Sequence, residues 1–151
     1  MTYKFIQVTN STGGAVATGA LIPLGTVTAR SMCGCGNLPT FVTSTGGIDT
    51  ITVNTNPCEK SGYYKITFNI SAVATAAGLV TVGLLANGTT TPVYTASETA
   101  TAAGDTVNLT IVYMTRVLPN FLTGAGTPIQ LINSGGALTS YVSNTIVEKV
   151  L

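Results

Sequence analysis

Three cysteines, five carboxylates and no histidine define the chemistry open to this 151-residue chain. Without imidazole there is no Ser-His-Asp or Cys-His nucleophile pair and no histidine metal ligand. Cys33-Gly34-Cys35 is too tightly spaced for an easy disulfide and lacks the C-x-x-C spacing of redox and zinc sites. Three readings stay open: a Cys33 or Cys35 bond to Cys58, a metal shared between symmetry-related chains, or three reduced thiols in a small-residue turn. The last is the simplest, since no histidine or nearby carboxylate completes a metal shell. The acids Asp49, Glu59, Glu98, Asp105 and Glu148 are scattered, so paired-carboxylate hydrolysis has no support in their spacing. Asp105, after Gly104, reads as a turn residue that bonds its own backbone, and Glu148-Lys149 as a solvated or inter-subunit pair. The expectation is a chain that is not an enzyme and carries no cofactor and no metal.

Charge is scarce throughout. Six basic and five acidic residues make 7% of the chain, against roughly 25% in an ordinary soluble domain. Their place is taken by small polar residues, among them 28 Thr and 17 Gly. A net charge of +1 gives no basic footprint for nucleic acid and no hold on an anionic membrane. The longest weakly polar stretch, Ala72 to Ala86, is broken by Gly78 and Gly83 and falls short of the ~18 apolar residues of a membrane helix. Residues 1–10 are too polar for a signal segment. Four Asn-x-Ser/Thr triplets, at Asn10, Asn69, Asn87 and Asn108, are what so much threonine produces by chance.

The elements that must position these groups are strands. Thr, Val, Ile and Tyr favour strand, and good helix formers are few. Tyr63 to Val73 alternates with period two: Tyr64, Ile66, Phe68 and Ile70 on one face, Lys65, Thr67, Asn69 and Ser71 on the other. Leu79 to Ala86 follows and ends at the hairpin signal Asn87-Gly88. Thr106 to Val117 puts Val107, Leu109, Ile111 and Tyr113 on one side and Val112, Met114 and Arg116 on the other. Pro128 to Ile132 and Thr139 to Val150 complete a series whose turns recur every 8–12 residues, the mark of a sandwich or barrel. The expected architecture is an all-β, two-sheet antiparallel jelly roll over residues 40–151. Residues 1–39 are expected to be an extended N-terminal arm or attachment segment. Leu85, Val112, Met114 and Val147 are expected to face outward, and uncharged outward faces suit packing against further copies. Tyr63, Tyr94 and Tyr141 are candidates for stacking on a glycan.

Ser61-Gly62-Tyr63-Tyr64-Lys65-Ile66-Thr67, followed by a strand ending at Asn87-Gly88, resembles the complement/tumour-necrosis-factor-like jelly-roll family. The ending Ile146-Val147-Glu148-Lys149-Val150 is similar to the last strand of the C-terminal domain of Bacillus collagen-like spore-surface glycoproteins, although no Gly-X-Y tract is present. Gly19 to Val27, followed by Cys33-Gly34-Cys35-Gly36, resembles the start of bacteriophage head-fibre or capsid decoration proteins. These resemblances imply a homotrimer with the first and last strands near the three-fold axis. Tyr64, Val112, Met114 and Val147 are then the candidate trimer contacts, and Ile22, Pro23 and Leu24 the candidate capsid attachment. The implied partners are the chain itself, a phage capsid protein and a host-surface glycan. The implied location is a virion surface. The alternative is a bacterial cell- or spore-surface adhesion module that binds carbohydrate.

Overall fold

Alternating apolar and small polar residues are realised as ten strands in this computed structural model, which describes residues 5–31, 39–53, 62–117 and 126–150. The strands are β1 (Phe5–Gly13), β2 (Thr26–Ser31), β3 (Thr40–Ser44), β4 (Gly47–Val53), β5 (Gly62–Ala74), β6 (Gly78–Ala86), β7 (Tyr94–Ala100), β8 (Thr106–Val117), β9 (Thr127–Asn133) and β10 (Leu138–Lys149). They form two five-stranded antiparallel sheets, in the orders β2-β1-β10-β5-β8 and β3-β4-β9-β6-β7. From β4 onward the chain crosses from sheet to sheet at every step except the β6–β7 hairpin, which is the winding of a jelly roll.

The inward rows follow the sequence pattern. Ile66, Phe68 and Ile70 of β5 and Val107, Leu109 and Ile111 of β8 meet Ile51, Val80, Leu84, Ile129 and Leu131 of the second sheet. Burying a side chain such as Phe68 or Ile66 stabilises by roughly 1.5–3 kcal/mol, so this single layer of contacts carries the sandwich. The turn expected at Asn87-Gly88 forms with both residues at positive φ, +57° and +71°.

Residues 5–31 are not an arm. β1 pairs with β10 from Phe5↔Glu148 to Gly13↔Tyr141, and β2 pairs with β1, so this segment supplies two strands of the first sheet. The connection between them crosses to the second sheet. Val16 bridges Leu138, Leu21 bridges Ile132, and Leu24 N–H donates to Ile48 O at 2.6 Å. Ile22 and Leu24 are thereby fully buried. Gly25 makes the passage possible: at φ +91°, a Cβ there would lie 1.9 Å from Thr9 O. The buried amide of Asn133 ties the same connection down. Its Nδ2 donates to Val16 O, Ala17 O and Gly136 O at 3.0–3.4 Å, and its Oδ1 accepts from Gly135 N. The domain boundary expected at residue 40 therefore does not divide the fold. Ile6, Val8, Val16, Ile22 and Leu24 of this segment belong to the one core of the sandwich.

Candidate functional site: the outer face of the first sheet

Antiparallel register places outward side chains of β1, β10, β5 and β8 in rows. One row reads Phe5, Glu148, Lys65, Met114. The next toward the sheet interior reads Gln7, Ile146, Thr67, Val112. On the other side of the first row, Tyr63 stands opposite Arg116, and Val150 N–H donates to Tyr63 O. Val112 is 52% and Met114 57% exposed, and Phe5, Tyr63 and Val150 are exposed with them. Lys65 Nζ lies 3.9 Å from Glu148 Oε2 in the middle of this group. The carboxylate expected to pair with Lys149 thus has a partner on the neighbouring strand.

The other half of the face is uncharged and mixes amides and hydroxyls with the exposed Val142. Asn69, Ser71, Asn108, Thr110, Val142 and Asn144 line a shallow cavity of about 340 Å³. Thr110 Oγ1 donates to Asn69 Oδ1 and Gln7 Nε2 to Asn144 Oδ1, both at 2.9 Å. These amides can meet neutral hydrogen-bonding groups, but the cavity lining holds no acid, base or nucleophile pair. The sequence signal for the cluster was present: each Asn occupies an outward position on its strand. Its collective placement depends on β10 lying between β1 and β5, which no local pattern reveals.

Two of the four expected trimer contacts are misplaced. Tyr64 is 3% and Val147 2% exposed, both within the sandwich core, so neither offers a surface to a neighbour. Leu85, expected outward and open, is also buried. It lies on β6, whose outer face is covered at Gly83 by Pro92. The capsid-attachment candidates are corrected as well. Ile22 and Leu24 are core residues, and the carbonyl of half-buried Pro23 accepts hydrogen bonds from the Tyr141 hydroxyl and Asn10 Nδ2. Of the tyrosines, Tyr63 and Tyr94 are exposed, and Tyr94 packs edge-on against Tyr113 with centroids 5.7 Å apart. Tyr141 is buried beneath Asn10, and burial pushes its phenol up to about 12 although the Asn10 hydrogen bond acts the other way.

The acids stay apart. Asp105 caps its own turn, accepting from the Thr101 hydroxyl, Ala102 N–H and Thr101 N–H, and these bonds, the hydroxyl first, hold its carboxyl below the usual range. Glu98 accepts from Asn108 N–H at 2.9 Å and joins β7 to β8, and Asp49 accepts from Thr50. Among the described residues no three Cys, His, Asp or Glu side chains gather in a way that could hold a metal. No helix among them is long and apolar enough to cross a membrane. Cys33, Cys35, Cys58 and Glu59 lie outside the described residues.

No protein-family model matches the sequence, and no curated protein matches it. Solved structures do match. The globular domain of zebrafish complement 1qA protein is 12% identical with a TM-score of 0.59, over 95% of this chain and 94% of that one. The tumour necrosis factor Eiger from S. frugiperda is 11% identical with a TM-score of 0.65, over 99% and 92%. The fold is the complement/tumour-necrosis-factor-like jelly roll. PRD1 vertex protein P5 has it too, at 21% identity and a TM-score of 0.56 over 98% and 97% of the two chains. Coverage this complete takes in residues 5–31, in agreement with their place in the jelly roll's first sheet.

Proposed function

We propose that this chain is a non-enzymatic, homotrimeric structural protein of a virion surface, a phage head fibre or capsid decoration protein. The observation that carries the self-association is the open apolar half of the first sheet. Phe5, Tyr63, Val112 and Met114 stand exposed on one contiguous face, in adjoining rows of β1, β5 and β8. Clustered exposed apolar groups are characteristic of protein–protein contact. A low charge content favours the same use, because interface cores are depleted of charge. The fold shared with a phage vertex protein, at higher identity than with the complement and tumour-necrosis-factor structures, supports the virion setting. Adhesion to a host-surface glycan would use loops or rims away from the three-fold contact.

The carbohydrate-binding surface module has weaker support. The exposed Tyr63 and Tyr94 lie on different sheets and do not form one stacking platform.

Light scattering coupled to size exclusion tests the trimer. A particle of three 15.3 kDa chains is expected, and a 15.3 kDa monomer would sink the reading. Labelled antibody against the chain should decorate intact phage particles at their surface in electron micrographs. Staining confined to bacterial or spore envelopes would favour the adhesion module.

A further inference from the structure

The Lys65–Glu148 pair is a weak contact by itself. At 3.9 Å, with side chains 42% and 45% exposed, it is a solvated surface pair worth under ~1 kcal/mol. Its position gives it more importance. Along its own row it is flanked by Met114 on one side and Phe5 on the other, and the adjoining rows carry Val112 on one side and Tyr63 with the exposed Arg116 on the other. Any body that covers these four apolar side chains must cover the ion pair as well. Covering removes water from both charges. A lone charge there then costs far more than it does in the free chain, while a matched pair stays tolerable.

We propose that Lys65 and Glu148 set the register of contact between copies of this chain, by admitting only arrangements in which both charges stay paired under the apolar cover. This rests on the homotrimer reading and names its specificity determinant. A second copy is the occupant that the face fits. Within the row one cation stands beside one anion, a pattern that the same row on a neighbour can answer; Arg116 is a second cation in the next row, so a strongly basic partner would be repelled, and a strongly acidic one would leave Glu148 opposed. The scarcity of other charge in the chain means that few alternative registers can satisfy the pair.

The test is a double-mutant cycle read as the midpoint concentration for assembly in sedimentation experiments. Lys65→Met alone and Glu148→Leu alone should each raise the midpoint by about a hundredfold or more, because each strands one charge under the cover. The double variant should return to within about tenfold of the parent, since a paired charge and an apolar replacement are energetically similar. Arg30→Gln, at an exposed position of β2, changes net charge equally and should leave assembly unaltered. Near-ultraviolet circular dichroism on each variant should show an unchanged fold. Single variants that assemble like the parent, or a double variant as weak as its worse single, would overturn the proposal and leave the trimer standing. A parent chain that stays monomeric overturns both.

Discussion

The two sheets present outer faces built from the same residues and finish them differently. On the second sheet the small polar groups close on one another. Thr81 and Ser97 share a hydrogen bond of 2.8 Å, Gln130 Nε2 donates to Thr50 Oγ1 at 2.8 Å, and Thr50 donates on to Asp49. Pro92 covers Gly83, Leu85 is buried, and the β1–β2 connection fills the end beside β9. What stays apolar and open on the outer side of its strands, Val42 of β3 and Leu79 of β6, is kept apart by β4 and β9, and Tyr94 of β7 turns to the inner side against Tyr113. The first sheet has no such covering segment among the described residues, and four of its open apolar groups, Phe5, Tyr63, Val112 and Met114, adjoin in successive rows, with Val142 apart from them. Threonine-rich strands are therefore not interchangeable surfaces. Among the described residues the chain closes its own segments over the second sheet and leaves the apolar rows of the first open.

The largest way to break this contrast is to remove the plug. Ile22→Ala should lower unfolding free energy by about 2–5 kcal/mol, the range for a fully buried aliphatic truncation. Urea denaturation measures it, and a loss well under 1 kcal/mol would mean that the connection is not part of the core. Alkaline pH attacks the same region. Tyr141 ionises near 10 when unfolded and at about 12 when folded, so its contribution is whole below pH 10 and is lost between pH 10 and 12. The loss should reach about 2–3 kcal/mol. Denaturation at stepped pH should show a shallower alkaline decline in Tyr141→Phe, which has no phenol to titrate. On the open sheet, Met114→Lys should change the stability of the isolated chain by no more than about 0.5 kcal/mol. The same variant should abolish assembly in light scattering, since it sets a second cation opposite Lys65. The smallest effect belongs to Thr81→Ala on the closed sheet. It removes one exposed hydroxyl bond, should cost under about 1 kcal/mol and should leave the particle mass unchanged.

Much of this was legible in the sequence, for reasons that can be located. Long strands with one buried face declare themselves: Tyr63 to Val73 and Thr106 to Val117 appear as β5 and β8 with the expected sides inward, and Asn87-Gly88 turns where its residues require. Val112 and Met114 were readable as outward for the same reason. Short windows misled. In residues 14–25 the chain pairs with three different strands within a dozen positions, so no period builds up, and Ile22 and Leu24 passed for an exposed attachment segment. Tyr64 and Val147 belong to inward rows; only the alternation, not the apolar character of a residue, decides which face it occupies. Phe5 and the Lys65–Glu148 pair could not be seen locally, because they depend on β1 and β5 both lying beside β10.

That last arrangement also governs when the molecule can form during synthesis. β10 sits at the centre of the first sheet, and its partner β1 lies at the far end of the chain, with Phe5 opposite Glu148. A ribosome must release the chain through Lys149 before β1 and β5, already able to pair with β2 and β8, can close on β10. Pairings this distant place folding in the slow, millisecond-to-second class of β proteins, and until they close, β1 and β5 carry open edges. On crowded polysomes, nascent copies would be exposed to wrong strand exchange during just that interval.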